Sequence, residues 1–121
     1  MALILFVDDE PDTLQTYKKA VELFGHQAIL ASTGREGLRM AASESPNIVI
    51  VDMRLPDMNG LEVIQHLRKN EHTARLPVVM LSAGPESDVA ESARTAGAQA
   101  YLLKPVRLNT LIDFISKYSL T

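Results

Sequence analysis

The chain has 121 residues, 46% of them hydrophobic, with 15 acidic against 12 basic side chains and a formal net charge of −3. That length suits one domain with a real core, while the absence of cysteine excludes a disulfide scaffold, a thiolate metal site and cysteine catalysis and fits a reducing compartment. No basic stripe suggests direct nucleic-acid binding, the first apolar run is too short to span a membrane, and no signal-peptide pattern precedes it, so a cytoplasmic protein is the expectation.

In chain order, Leu3-Ile4-Leu5-Phe6-Val7 reads as a first buried strand, followed by the acidic stretch Asp8-Asp9-Glu10-Pro11-Asp12. A helix is predicted from Pro11 to about Phe24, stopped by Gly25, with Leu14, Tyr17, Val21 and Phe24 on one core-facing stripe. Gln27 to Ala31 forms a second strand, and a helix from Arg35 to about Ser43 follows Gly34. The run Ile48-Val49-Ile50-Val51 is a third strand ending at Asp52. A helix from about Leu61 to Lys69 comes next, and Pro77 opens the strand Val78-Val79-Met80-Leu81, which ends at Ser82. The fourth helix, about Ser87 to Thr95, offers only Val89, Ala90, Ala93 and Ala96 for burial, so it should be held less firmly than its neighbours. Ala100 to Leu103 is a fifth strand ending at Lys104. The last helix carries Leu108, Leu111, Ile112 and Ile115 at helical spacing.

Alternating strands and helices of this kind define an α/β protein, with a doubly wound five-stranded parallel sheet flanked by five helices. No repeat, linker or low-complexity tract interrupts it, so residues 1–121 read as one domain. Parallel sheets bind ligands beyond the carboxyl ends of their strands, which is where Asp8, Asp9, Asp52, Ser82 and Lys104 fall. These five residues are expected to converge. Carboxylates held a few ångströms apart repel one another unless one is protonated or a cation sits among them. Mg2+ is the natural partner, because it takes oxygen ligands from one or two carboxylates together with phosphate oxygens. With a lysine and a hydroxyl opposite, the inventory suits a phosphoryl group better than a carbonyl substrate.

Each of these residues also has an ordinary structural reading. Acids before a helix satisfy its first amides, Asp52 precedes a turn containing Pro56, Asn59 and Gly60, Ser82 opens a capping turn, and Lys104 fits a snorkelling surface lysine. Convergence at one sheet end favours the functional reading for those residues. Asp12 stays a helix-dipole residue and Asp57 a turn former. The three histidines, His26, His66 and His72, lack the i, i+4 pairing of a metal face and read as solvated helix-end residues.

The acidic pair in Val7-Asp8-Asp9-Glu10-Pro11, the segment Asp52-Met53-Arg54-Leu55-Pro56-Asp57-Met58-Asn59-Gly60, Ser82-Ala83 and Lys104-Pro105 together resemble the receiver domain of two-component response regulators, of the chemotaxis-regulator type. The resemblance covers essentially the whole chain and implies the flavodoxin-like strand order 2-1-3-4-5. It implies that Asp52 is the phosphoacceptor, assisted by Lys104 and Ser82. It also implies that Asp9, Asp52 and the Arg54 backbone carbonyl ligate Mg2+ directly and Asp8 through water. Ser82 and Tyr101 are then the switch pair, Arg54 and Gly84 the positions that tune phosphoryl lifetime, and a cis peptide precedes Pro105. The implied partners are a sensor histidine kinase or histidine phosphotransfer protein. An output partner or a second copy would dock on the fourth helix, fifth strand and fifth helix. On this reading the domain is not an enzyme acting on other substrates. The alternative is a magnesium-dependent phosphatase or phosphotransferase of haloacid-dehalogenase type. That class needs a second aspartate two positions after the nucleophile, where this chain has Arg54, which cannot transfer protons. The sequence carries no output domain after its last helix, which leaves a stand-alone regulator, a phosphorelay shuttle and a piece of a longer protein all open.

Overall fold

The computed structural model describes residues 1–83 and 87–118, and the side chains of all of these except 87–89. The elements alternate as β1 (Leu3–Val7), α1 (Pro11–Leu23), β2 (Gln27–Ala31), α2 (Gly34–Glu44), β3 (Ile48–Asp52), α3 (Gly60–Lys69), β4 (Val78–Ser82), α4 (Ser87–Ala96), β5 (Ala100–Leu103) and α5 (Leu108–Tyr118). The strands form one parallel sheet in the order β2-β1-β3-β4-β5, as expected.

Every residue of β3 and β4 is buried, because helices cover both faces of the sheet and leave two apolar layers. One layer gathers Leu5, Val7, Val49, Val51, Val63, Ile64, Leu67 and Met80 beneath α2, α3 and α4. The other gathers Ile4, Phe6, Leu14, Val21, Ile50, Leu81, Leu111 and Ile115 against α1 and α5. Alternate residues of one strand thus feed opposite layers, as the strand's period of two requires. In α4, Ala93 is fully buried and Ala90 and Ala96 are half-buried, which matches its short side chains; Val89 lies outside the described side chains.

Helix starts are set by local chemistry. Thr33 caps α2 by accepting from the Glu36 amide at 3.0 Å. Asn59 and Glu62 cap α3 reciprocally, Asn59 Oδ1 accepting from the Glu62 amide at 2.9 Å and Glu62 Oε1 from the Asn59 amide at 3.2 Å. Both helices begin one residue before the predicted start, because Gly34 and Gly60 are needed as first helical residues packed close to neighbouring chain. The core stripe of α1 is shorter than predicted. Leu14 and Val21 are buried and Tyr17 stacks on Phe6 with ring centroids 5.0 Å apart, but Phe24 lies past the helix end and is 54% exposed. Leu108, at the first position of α5, is likewise partly exposed. His26 is not a solvated helix end either: its Nδ1 accepts from the Ala2 amide at 3.0 Å and ties down the start of β1.

Arg68, near the end of α3, acts as an internal staple. It donates to the Leu76 carbonyl at 2.7 Å, the Ala74 carbonyl at 3.1 Å and the Gly97 carbonyl at 2.7 Å. A single guanidinium thus satisfies carbonyls in both the α3–β4 and the α4–β5 connections. It uses the fixed fork of donors that lysine lacks.

Gly60, at the start of α3, packs against the backbone at the acidic end of the sheet. A Cβ there would lie 2.7 Å from the Asp52 carbonyl oxygen and 3.0 Å from Met53 Cα, both backbone atoms that cannot simply rotate away. Gly60→Ala should therefore destabilise the fold by about 1–3 kcal/mol, as overpacking does. Urea denaturation at constant m-value measures this, and a variant as stable as the parent would show that the β3–α3 connection yields.

Candidate functional site

Parallel register brings four strand ends to one rim: Val7 pairs with Val51, Asp52 with Leu81, and Ser82 with Leu103. Asp8, Asp52, Ser82 and Lys104 therefore fall side by side without any loop having to reach across. Asp8 is 2% exposed and is held by its backbone amide, which donates to the Ala31 carbonyl at 3.0 Å. Its Oδ1 accepts from the Glu10 amide at 3.0 Å, so Asp8 also forms the turn into α1. Asp52, at the end of β3, is buried, and the following amide of Met53 donates to the Leu81 carbonyl at 2.8 Å. Ser82 is buried at the end of β4. The Lys104 amide donates to the Ser82 carbonyl at 2.7 Å, and the Lys104–Pro105 peptide is cis.

Lys104 Nζ lies 3.1 Å from Asp8 Oδ2 and 3.0 Å from Asp52 Oδ1. Asp9 sits beside them, exposed, and carboxylate oxygens of Asp8, Asp9 and Asp52 all lie within 4.8 Å of one another. Burial pushes the Asp52 carboxyl above its ordinary pKa, the bond to and charge of Lys104 pull it partly back, and the charge of Asp8 raises it again. For Lys104, burial alone would lower the pKa, but bonds to Asp52 and Asp8 outweigh it and hold the ammonium above the usual lysine value. Three carboxylates face one ammonium. An oxygen-only, anionic donor set with one exposed member suits a hard divalent cation such as magnesium.

The structure brings together Asp8, Asp9, Asp52 and Lys104, with Ser82 on the adjacent strand end. The side chain of Arg54 is exposed, and its backbone pairs in an antiparallel bridge with Asn59 across the β3–α3 loop. Tyr101 is half-buried on β5 opposite Met80 and packs against the layer under α2, α3 and α4. Gly84 lies outside the described residues.

Two residues near the site escaped the sequence reading. Tyr17, read there only as core, has its phenol pKa raised by burial, with smaller opposing effects from the charges of Lys104 (lowering) and of Asp8, Asp52 and Glu10 (raising). It lines a cavity of about 440 Å³ together with Glu10, Thr13, Lys104 and Pro105. Its position on the α1 stripe, within two turns of the acids, was the available signal. Asp57 is the second. It is no simple turn former, for its carboxylate accepts from the Gly34 amide at 2.8 Å and the Arg35 amide at 2.9 Å, both on α2.

A doubly wound α/β sheet thus carries at its central strand ends a cluster of three carboxylates, two of them paired with one lysine. Comparison gives the class its name: residues 4–116 match the response regulator receiver domain family, and the chain belongs to that family. It is 39% identical over 112 residues to the transcriptional regulatory protein KdpE of Mycobacterium tuberculosis, covering 93% of this chain and 48% of KdpE, so it spans about half of that relative's length. It is 33% identical to protein PilH of Pseudomonas aeruginosa, covering 96% of each. Among solved structures, the receiver domain of sensor histidine kinase PA1611 from Pseudomonas aeruginosa PAO1 superposes with a TM-score of 0.88 at 25% identity, covering 97% of this chain and 96% of that one. That structure has a magnesium ion coordinated in its active site cleft. The haloacid-dehalogenase alternative receives no support from these matches. Among the described residues, no helix is long and apolar enough to cross a membrane.

The raised pKa of Asp52 carries a stability consequence with a definite sign. A carboxyl whose folded-state pKa lies above its unfolded value is destabilising when ionised, and the penalty is relieved as pH falls through the folded value towards the unfolded one. Asp52→Asn should therefore melt at higher temperature than the parent at pH 7 in chelator, and the gap should close as the pH approaches about 4, where ordinary aspartate protonates. Thermal denaturation across that range is the measurement. A gap that widened on acidification would reverse the sign assigned here.

Proposed function

We propose that this receiver domain accepts a phosphoryl group on Asp52 from a phosphohistidine of a partner kinase or phosphotransfer protein, in a magnesium-dependent reaction. The observation that carries the reading is the Asp52 carboxylate held 3.0 Å from Lys104 inside a cluster of three carboxylates. In the transfer, an Asp52 oxygen bonds to phosphorus as the bond from phosphorus to the donor imidazole nitrogen breaks, and the imidazole leaves with the bonding pair and takes up a proton. Lys104 and the Ser82 hydroxyl bind phosphoryl oxygens as charge accumulates on them. Asp9, Asp52 and the Arg54 carbonyl would hold the metal, with Asp8 contributing through water. The metal supplies neutralisation of the phosphoryl charge. Catalysis is directed at the domain itself, in a cytoplasmic setting. Incubation with acetyl phosphate and magnesium should add one phosphoryl group, read by intact-mass spectrometry, and Asp52→Asn should abolish it. Undiminished modification of that variant would move the acceptor elsewhere.

The output follows from two positions one strand apart. Once phosphorylated, Asp52 presents oxygens to the Ser82 hydroxyl, and the resulting movement frees space for Tyr101 of β5 to turn inward. The α4–β5–α5 face then changes, presenting a surface to an output partner or a second copy. A ligand shifts such an equilibrium only through contacts made in one state and not the other, here the bond from Ser82 to the phosphoryl group. Amide exchange with and without a beryllofluoride mimic should differ mainly in α4, β5 and α5. Changes restricted to α1 and α2 would refute this route.

A further inference from the structure

The β3–α3 loop is closed at its base, where the Gly60 amide donates to the Met53 carbonyl at 2.7 Å and Arg54 pairs with Asn59. Its outer turn is fastened differently. Asp57, three residues beyond Arg54, directs its carboxylate oxygens onto the first two amides of α2. The next two are also satisfied, Glu36 by Thr33 Oγ1 and Gly37 by the Thr33 carbonyl, each at 3.0 Å. The first three helical amides, which a helix start leaves without backbone partners, are thereby accounted for by side chains, the first two by a residue 23 and 22 positions away, and the Gly37 bond is the first regular bond of the helix. A carboxylate is also the charge that a helix N-terminus favours.

The anchor itself is fixed to the acidic end of the sheet. Gly37 of α2 packs so closely on Val7 that a Cβ would come within 2.8 Å of its Cγ2. Ala31, three residues before Gly34, accepts from the Asp8 amide at 3.0 Å. A continuous path therefore runs from Asp8 through the β2–α2 connection to Asp57 and back to Arg54. We propose that Asp57 is a positioning residue for the metal: by clamping the outer turn of the β3–α3 loop to α2, it sets the Arg54 carbonyl in register with Asp8, Asp9 and Asp52. The proposal rests on the magnesium reading above.

Magnesium titration of the full chain by calorimetry tests it, in the parent and in Asp57→Ala, Asp57→Asn, Thr33→Ala and Asp9→Asn, at a temperature where circular dichroism shows each folded. Asp57→Ala should raise the magnesium Kd about tenfold, the low end for outer-shell partners. Asp57→Asn, which keeps one acceptor oxygen, should fall between it and the parent and keeps the test available if the alanine variant does not fold. Thr33→Ala removes a cap from the same helix without touching the loop, so it should lower Tm and leave the Kd unchanged. If the parent and Thr33→Ala bind magnesium and Asp9→Asn loses it, but the Asp57 variants bind like the parent, the positioning role is wrong and the magnesium reading stands. Equal weakening in Thr33→Ala and Asp57→Ala would reduce the effect to general loosening of α2 and overturn the proposal. A parent that binds no magnesium overturns the metal reading itself.

Discussion

Lys104 is the charge on which the rest of the site depends. Its ammonium reaches Asp8 and Asp52 at 3.1 and 3.0 Å, and both acids are almost entirely removed from water. Taking such charges out of water is expensive, and an ion pair repays it only with good geometry. One ammonium cannot neutralise three carboxylates, so the rim of the sheet keeps an unbalanced negative charge that a better-packed apolar cluster would avoid. On the proposed reading, a divalent ion would relieve that imbalance.

Sheet register converts this electrostatic requirement into geometry. In a strand buried on both faces, a slip by one residue exchanges one apolar side chain for another, so the apolar pattern alone specifies alignment weakly. The polar strand ends remove the ambiguity. Slipping β3 inward would drag Asp52 beneath the helices, and slipping it outward would break its contact with Lys104. The acids and the lysine thus act as stops at the end of the strands.

Most of the fold was legible because strand and helix alternate with clear periodicity and because the residues of the site all stand at the carboxyl ends of strands or within two residues of them. Asp8, Asp52, Ser82 and Lys104 could be assembled on paper, since a parallel sheet leaves little freedom in where its carboxyl ends lie. What escaped was side-chain direction across loops. Asp57 sits in a segment whose composition says only that the chain turns, and nothing local indicates that its carboxylate is directed at a helix 22 residues earlier. His26 failed for a similar reason, because its partner is the amide of Ala2 at the far end of the chain segment. Phe24 was misread through helical spacing continued past the point where Gly25, at φ +82°, turns the chain away.

The bond between Lys104 and Asp8 joins residues 96 positions apart. Contacts of long sequence separation carry a loop-closure cost that must be met before they reward the fold, and during synthesis the second partner of such a contact emerges late. The acids at the ends of β1 and β3 are therefore made well before the lysine that compensates them. The fifth strand, which sets Lys104 in place, is thus the last strand of the sheet to be made, and a chain that lacks it has the acids of the rim without their ammonium.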